Sequence, residues 1–269
     1  MREELSTMEQ RLVDILGAIP SCVIAFSGGL DSVFLAIMAK EHVPGRALCV
    51  TVADSSTPKS DLESAKKMAE AHGLEHLILE SEIHPEVRPN TRERCYICKS
   101  TLLRKLESIR EKEGLARILD GENASDSGDD RPGTRAAREL GILSPLTMAG
   151  LTKDDVRALA REMGLEAWDR PASACLASRI PFGTVLDDDV MKRIDKTEDF
   201  IRSKGIRMIR ARAEGNGARL ELGQDENTPE NRAMLESLAT EIMKLGWGKV
   251  EIDQSGYVPA GLRKKNGRE

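Results

Sequence analysis

The sequence predicts an α/β protein with a doubly wound, mostly parallel sheet, followed by a small C-terminal α+β domain. Three observations support this prediction. Short apolar runs, typical of buried strands, alternate with amphipathic helical runs through the first two thirds of the chain. A glycine-rich turn joins the first apolar run directly to a helical run. After about residue 185, charged helices alternate with short strands instead. We therefore expect one domain at residues 1–185 and a second at residues 186–269.

In the first domain, strands and helices are expected to alternate after an N-terminal helix. The expected helices span residues 5–16, 33–40, 60–72, 101–113 and 152–163. The expected strands span residues 22–25, 46–52, 76–79 and 117–120. Thr152 suits the N-cap of the last helix, whose first turn carries Asp154 and Asp155. Residues 124–134 and 171–183 are expected to be loops, since the first is rich in Ser, Asp and Gly and the second is bounded by prolines.

The second domain has a simpler expected order, in which two helices are interleaved with three strands. The helices are expected at residues 187–204 and 231–245, and the strands at residues 206–212, 218–222 and 250–253. The basic, polar tail from residue 262 to 269 is expected to fray.

The composition of the chain argues against two classes of function, nucleic-acid binding and membrane insertion. The 269 residues carry a net charge of −5 and only 3% aromatic side chains, which argues against a large nucleic-acid footprint or a base-stacking surface. No apolar run approaches the roughly 20 residues that span a bilayer, and the acidic, helical start is unlike a signal peptide. We therefore expect a cytoplasmic protein that does not enter a membrane.

The turn after the first strand is the expected phosphate site. Its residues are Ala25, Ser27, Gly28, Gly29, Asp31 and Ser32. Two adjacent glycines let backbone N–H groups approach an anion, and the start of the following helix adds positive potential. The pattern is not the Walker loop, which needs Gly-x4-Gly-Lys-Ser/Thr. Asp54, Ser55 and Gly121 follow two other expected strands, and ligands of such sheets bind at strand carboxyl ends, so these three are candidate nucleotide contacts.

The five cysteines fall into two groups, those expected to be buried and those that could carry chemistry. Cys22 and Cys49 lie within apolar strand runs and are expected to be buried. Cys95 and Cys98 form a Cys-x-x-Cys at the entrance to a helix, which could be a redox disulfide, half of a zinc site or part of an iron–sulfur site. Cys175 lies in an expected loop among small residues, where a thiol is accessible.

Seven motifs together resemble one family. They are residues 27–32; Arg94-Cys95-Tyr96-x-Cys98-Lys99; Asp120-Gly121-x-Asn123; Gly128-Asp129-x-Arg131-Pro132-Gly133; Ser144-Pro145-Leu146; Gly150-Leu151-Thr152-Lys153; and the stretch from Pro171 to Pro181 around Cys175. The first resembles the PP-loop of HUP-like ATP pyrophosphatases, which split ATP between its α- and β-phosphates. The whole set resembles the LarE-type ATP-dependent sulfurtransferases of nickel-pincer cofactor synthesis.

That resemblance implies a reaction. ATP, with Mg²⁺ beside Asp31, would adenylylate a carboxylate of pyridinium-3,5-biscarboxylic acid mononucleotide, and sulfur would then displace AMP to form a thiocarboxylate. In family members with three cysteines, a 4Fe-4S cluster carries the sulfur, which assigns Cys95, Cys98 and Cys175 as its ligands here. In members with one cysteine, the equivalent of Cys175 gives up its own sulfur. Lys99 would act in proton transfer in that version, or would simply be a solvated lysine.

The resemblance also assigns the substrate phosphate to Arg210 and Arg212, at i and i+2 of an expected strand; the alternative is two solvated arginines. Arg179 would bind an anion or tune Cys175. Sulfide or another sulfur donor is an expected partner, and the resemblance implies a homo-oligomer. Three alternatives remain: a tRNA-thiolating PP-loop enzyme, an ammonia-using amide ligase, and a cluster-carrying scaffold without activity.

Overall fold

The computed structural model describes residues 2–126, 132–169 and 173–258. The chain divides into two compact units, residues 1–173 and residues 174–269. The sequence analysis placed the domain boundary at residue 185, and that boundary stays a prediction. Parts of two family motifs, at residues 128–131 and 171–172, lie outside the described residues, as do Arg170 and the tail from residue 259.

A four-stranded parallel sheet forms the centre of the first unit. Its strands are β1 (Cys22–Ala25), β2 (Ala47–Ala53), β3 (Glu75–Glu80) and β4 (Arg117–Leu119). They are ordered β3-β2-β1-β4, so the chain runs outward in one direction from β1 to β3 and returns to the other side of β1 for β4. In such sheets ligands bind at the carboxyl end, where the order reverses, which here is the end of β1 and β4.

Helices connect and cover these strands. They are α1 (Arg2–Gly17), α2 (Leu30–His42), α3 (Lys59–Ala71), α4 (Arg94–Lys112), α5 (Pro132–Glu139), α6 (Pro145–Ala149) and α7 (Lys153–Glu162), with short 3-10 helices at η1 (Ala124–Asp126) and η2 (Glu166–Asp169). Helix α2 is buried along most of its length, because it packs between the sheet and α1 and α7. The phosphate turn therefore joins two of the most buried elements of this unit.

The second unit has two short 3-10 helices, two α-helices and a three-stranded sheet among its described residues. They are η3 (Leu176–Arg179), α8 (Asp188–Arg202), β5 (Ile209–Glu214), β6 (Gly217–Leu222), a 3-10 turn η4 (Gln224–Glu226), α9 (Pro229–Met243) and β7 (Lys249–Ile252). β5 and β6 are antiparallel, and β6 and β7 are parallel. This is the expected α+β unit.

The predicted fold class and most elements are confirmed. Thr152 caps α7 in a capping box with Asp155, as its position indicated. Several bounds differ by up to three residues, and three further differences bear on the site. Helix α4 begins at Arg94, not at residue 101, so both thiols of the Cys-x-x-Cys lie in its first turns. The expected loop at 124–134 contains the start of α5, and the one at 171–183 contains η3. Within the described residues, we find no helix with the length and apolar character to span a membrane.

Candidate active site

The turn after β1 has the geometry of a phosphate loop. Gly28 has a φ of +69°, and a Cβ there would lie 2.6 Å from the backbone nitrogen of Ala65 on α3. Only glycine meets both constraints. Gly29 is the N-cap of α2 and has no side chain that could occupy the N–H groups of the first turn. The turn therefore presents backbone donors at a helix start, which is the arrangement that binds phosphate.

Two serines close this turn. The Ser27 backbone N–H donates to Ser32 Oγ over 3.2 Å, and Ser32 Oγ donates to the Gly29 carbonyl over 3.0 Å. The two hydroxyl oxygens lie 3.0 Å apart. Ser27 and Ser32 thus hold the shape of the loop through their own hydrogen bonds, whatever contact they make with a nucleotide.

Asp31 meets a lysine that the sequence analysis did not select. Lys153 Nζ donates to Asp31 Oδ2, and Asn123 Nδ2 lies 3.5 Å from Asp31 Oδ1. Lys153 is the first residue of α7, and its neighbour Thr152 fixes that helix start with the capping box. Both charged side chains are partly exposed, at 22% for Asp31 and 34% for Lys153. An anion and a cation are therefore placed together where the phosphate loop meets α7.

A second lysine is anchored at the end of β4. Lys99 Nζ lies 2.9 Å from Asp120 Oδ2, and Ser144 donates to the other oxygen of that carboxylate over 2.7 Å. Asp120 is almost fully buried, so this ion pair is shielded from water, and Lys99 is not a solvated surface lysine. The burial of nearby Glu122 and the negative charge of Asp120 raise the pKa of the Glu122 carboxyl.

Gly121 fits this place for a packing reason. A Cβ there would lie 3.1 Å from the backbone nitrogen of Ser32, so the end of β4 and the start of α2 approach too closely for a side chain to fit without movement. Asp54 follows β2, as expected, and its carboxylate accepts hydrogen bonds from the Ser56 N–H and hydroxyl at 2.8 and 2.7 Å. Ser55, in the same turn, is exposed at this end of the sheet.

The Cys-x-x-Cys presents its thiols at the start of α4. Cys95 is exposed and Cys98 is half-buried. Just before them, buried Arg94 donates to Asn90 Oδ1 over 2.5 Å, and its other Nη lies 3.8 Å from the Cys95 sulfur. Asn90 itself has a φ of +55° and is fully buried. A guanidinium fixed by a buried turn therefore adjoins the first thiol.

The other two thiols of the first unit are of a different kind. Burial raises the pKa of Cys22 and of Cys49 from 9.0 to about 12, and both side chains are essentially inaccessible. Their prediction as buried apolar cysteines is confirmed. They therefore remain thiols at physiological pH, where a thiol is a poorer nucleophile than a thiolate.

In the second unit, Cys175 is the N-cap residue of η3 and is exposed. Arg179, four residues later, is 1% exposed. Its Nε and Nη2 each donate to Glu198 over 2.9 Å. Its Nη1 donates to the carbonyls of Ala174 and Cys175 over 2.5 and 3.0 Å. Two roles were expected for Arg179, which are to bind an anion or to tune Cys175. This arrangement favours the second, because the guanidinium group already binds Glu198 and the loop carbonyls.

Arg210 and Arg212 lie on β5, as expected, but neither is a solvated strand arginine. Arg210 is 5% exposed and lies 3.9 Å from Glu198 Oε2. Burial lowers the pKa of its guanidinium. Arg212 Nε lies 2.7 Å from Glu221, and its Nη1 donates to the Ser178 carbonyl over 2.8 Å. Two cationic groups are thus held behind the Cys175 segment by buried carboxylates.

Sequence reasoning missed four of these residues. Lys153, Asp120 and Asn123 lie within motifs that carried the family resemblance, so their positions could have been selected from it. Glu198 has no such signal, because it is one acidic residue in a charged helix and its partners lie 19 residues before it and 13 after it. Cys175 belongs to one unit and Cys95 and Cys98 to the other. Within either unit, the described residues contain no group of three His, Cys, Asp or Glu side chains arranged for a metal ion.

A family model described as asparagine synthase matches residues 18–91, the stretch that contains β1, the phosphate loop, α2 and β2 to β3. The matched residues include the phosphate loop and end before the Cys-x-x-Cys. It agrees with the parallel sheet and with a loop built to hold phosphate.

Three relatives match along most of the chain. An uncharacterised protein of Synechocystis sp. is 32% identical over 256 residues, which cover 94% of this chain and 96% of that protein. The pyridinium-3,5-bisthiocarboxylic acid mononucleotide synthase of Lactiplantibacillus plantarum is 33% identical over 262 residues, which cover 94% and 92%. An uncharacterised protein of Methanocaldococcus jannaschii is 29% identical over 235 residues, which cover 87% and 90%.

Proposed function

This chain belongs to the LarE family of ATP-dependent sulfurtransferases, and from that premise we propose that it thiolates pyridinium-3,5-biscarboxylic acid mononucleotide. The similarity to the bisthiocarboxylic acid mononucleotide synthase, which spans both the phosphate loop and the Cys175 segment, carries the proposal. The product would be a thiocarboxylate that feeds a nickel-pincer cofactor.

The first half of the reaction uses the phosphate loop. A substrate carboxylate oxygen attacks the α-phosphorus of ATP, the bond to the β-phosphate oxygen breaks, and pyrophosphate leaves, so the carboxylate becomes an acyl adenylate. The backbone N–H groups around Gly28 and Gly29 receive the departing pyrophosphate, and the Lys153 ammonium neutralises part of its charge. Asp31 is the carboxylate that fits Mg²⁺ there, and the ion would supply further charge neutralisation. Ala25, Asp54, Ser55 and Gly121 line the same end of the sheet as nucleotide contacts.

The second half uses the thiols. A sulfur nucleophile attacks the activated carbonyl carbon, the bond to the AMP oxygen breaks, and the thiocarboxylate and AMP are formed. Cys95, Cys98 and Cys175 are the three accessible cysteines, in contrast to the buried Cys22 and Cys49. Thiolates are the ligands that iron–sulfur clusters use, so these three cysteines would hold a 4Fe-4S cluster, which would supply sulfide when bound. Cys175 as a sacrificial donor remains the second candidate, supported by its exposure at the N-cap of η3.

Other side chains position the substrate and move protons. Arg210 and Arg212, whose guanidinium groups are fixed by burial and by Glu221, are proposed to bind the substrate phosphate. Lys99, held by buried Asp120, is proposed as the proton-transfer group of the version in which Cys175 is the sacrificial donor. Arg179 is proposed to act on Cys175 through the loop carbonyls.

Anaerobic reconstitution with iron and sulfide tests the proposal. We expect a brown protein that converts ATP and the carboxylate nucleotide into AMP, pyrophosphate and thiocarboxylate. Replacing Cys95, Cys98 or Cys175 with alanine should remove both the colour and sulfur transfer, whereas Cys49→Ala, as the matched control, should retain both.

Two results would change the assignment. If only Cys175→Ala stops sulfur transfer and the active protein loses one sulfur atom per turnover by mass spectrometry, Cys175 is a sacrificial donor. If pyrophosphate is released with tRNA and not with the carboxylate nucleotide, the enzyme is an RNA thiolase, and the proposed substrate is wrong.

A further inference from the structure

The backbone on both sides of Cys175 is held by a single nitrogen. Arg179 Nη1 donates to the Ala174 carbonyl, which belongs to the peptide plane before Cys175, and to the Cys175 carbonyl, which belongs to the plane after it. Fixing both planes fixes the two backbone dihedral angles of Cys175 and therefore the direction of its Cα–Cβ bond. The direction of the exposed thiol is thus set through the main chain.

The orientation of Arg179 depends in turn on Glu198. A guanidinium is planar, with five N–H groups in a fixed fork. Glu198 accepts two of them, from Nε and Nη2, on one edge of that fork. The two-bond contact sets the plane of the group, and Nη1 is then directed at the loop carbonyls. A lysine at this position could supply the charge, but it could not bind Glu198 with two bonds and the carbonyls together.

Glu198 is itself immobilised. It is fully buried, Arg202 Nη2 donates to Oε2 over 2.8 Å, and the Ala211 backbone N–H donates to Oε1 over 3.0 Å. Arg202 is its neighbour on α8, and Ala211 is on β5. Because no water competes at a buried carboxylate, these contacts tie helix, strand and guanidinium into one rigid unit.

From this chain of contacts, we infer that Glu198 is a positioning residue for Cys175. Its carboxylate sets the plane of Arg179, and Arg179 fixes the peptide planes that aim the thiol. The inference rests on the proposed function, in which Cys175 is a reacting or cluster-binding thiol. It adds a residue 23 positions away in the sequence, on a different helix, that does not contact the sulfur.

Amide hydrogen exchange of the full chain tests this inference directly. Two hydrogen bonds of the segment serve as reporters, from Ser178 N–H to the Cys175 carbonyl and from Ile180 N–H to the Ala177 carbonyl. Arg179→Lys and Glu198→Gln should each speed exchange at residues 176–180 by about tenfold, because the fork is lost. Glu198→Asp keeps the charge but shortens the side chain, and it should give the same local effect if the amide variant does not fold.

Arg193→Met is the matched control. It removes a cation from the same helix, where Arg193 lies over the Trp247 ring, but leaves Glu198, Arg179 and the loop contacts in place, so exchange at residues 176–180 should stay within about twofold of wild type. In the reconstituted enzyme, the Arg179 and Glu198 variants should lower kcat for sulfur transfer about 100-fold. The KM for ATP should not change, because the phosphate loop is untouched.

The outcomes separate this inference from the function on which it rests. Loop exchange equal to wild type in the folded Glu198 variants, or equal acceleration in Arg193→Met, overturns the positioning role. If wild-type protein forms no thiocarboxylate but the exchange pattern is as expected, the proposed substrate is wrong and the Glu198–Arg179 device stands.

Discussion

The phosphate loop after β1 and the Cys175 segment are both short irregular stretches that present candidate reacting groups, but they are held in different ways. The first is held mainly by main-chain geometry and by hydrogen bonds between residues at most five apart, Ser27 to Ser32, with one distant contact where Gly28 packs against Ala65 of α3. The second is held by buried side-chain charges from distant elements, through Arg179 and Glu198. A locally built site is visible in the sequence, whereas a remotely held one appears only in the fold.

The largest expected effect concerns the remote charges. Glu198→Gln should reduce the free energy of unfolding by about 3–5 kcal/mol, because it leaves buried guanidinium groups without their carboxylate. Glu75→Gln is the control, since its partner Arg46 and Glu75 itself are 41% and 51% exposed. That change should cost about 0–1 kcal/mol. Chemical denaturation measures both, and equal losses would contradict the contrast between the two ion pairs.

Gly28→Ala tests the locally built site. The added Cβ needs the left-handed backbone at +69° and would lie 2.6 Å from Ala65 N. Strain and overpacking of about 2–4 kcal/mol should weaken ATP binding about 30- to 1000-fold. Calorimetric titration with ATP measures the change.

Gly164→Ala is its control. Gly164 has a similar φ of +70°, and no described heavy atom lies within 4 Å of where its Cβ would be. It should therefore carry the backbone cost of about 1–2 kcal/mol in stability and leave ATP affinity unchanged. Unchanged ATP affinity in Gly28→Ala as well would remove the phosphate role from this turn.

Lys153→Met should have the next largest effect. The ammonium that meets Asp31 is lost, and pyrophosphate release should slow about 100-fold, the size seen when one charge-stabilising donor is removed. Lys67→Met is the control, because Lys67 pairs with Glu166 on the surface with both side chains about two thirds exposed or more, at 68% and 73%. A coupled pyrophosphate assay should show Lys67→Met within about twofold of wild type. Equal rates for the two variants would exclude Lys153 from the site.

The smallest expected effect is a pH dependence from the buried cysteines. Burial raises the pKa of Cys49 to about 12 in the folded chain, so above pH 9 the unfolded chain loses this proton first. Stability is fully present below that pH and falls as the pH rises towards the folded pKa, by up to about 1.4 kcal/mol per pH unit. Cys49→Ala should flatten the slope of unfolding free energy between pH 9 and 10.5. An unchanged slope would mean that this thiol is not shielded as described.

The sequence predicted those parts of the fold that depend on near neighbours. The strand–turn–helix around Gly28, the N-cap at Thr152, and the buried Cys22 and Cys49 were all predicted, since periodicity, turn chemistry and capping act over a few residues. The start of α4 was predicted too late, because Arg94 is polar and its burial beside Asn90, four residues earlier, does not show in the sequence.

The site was predicted less completely for the same reason. Asp31 and Lys99 were selected, but their partners Lys153 and Asp120 were not, since nothing in a linear pattern pairs residues 122 and 21 positions apart. Glu198 could not be found at all from its helix. The sequence does not distinguish a buried glutamate from a solvated one. Only the packing of η3 against α8 shows that Glu198 is buried.

The distances in sequence around Glu198 also have a consequence for synthesis. Cys175 and Arg179 leave the ribosome before Glu198 and Ala211, and chains are made from the N-terminus at about 5–20 residues per second. For a few seconds after its synthesis, therefore, Cys175 lacks the Glu198 carboxylate that sets the direction of its thiol. The thiol takes the direction seen in the fold only after α8 and β5, which are made later, have packed against its segment, so an incomplete chain carries Cys175 in an unfixed orientation.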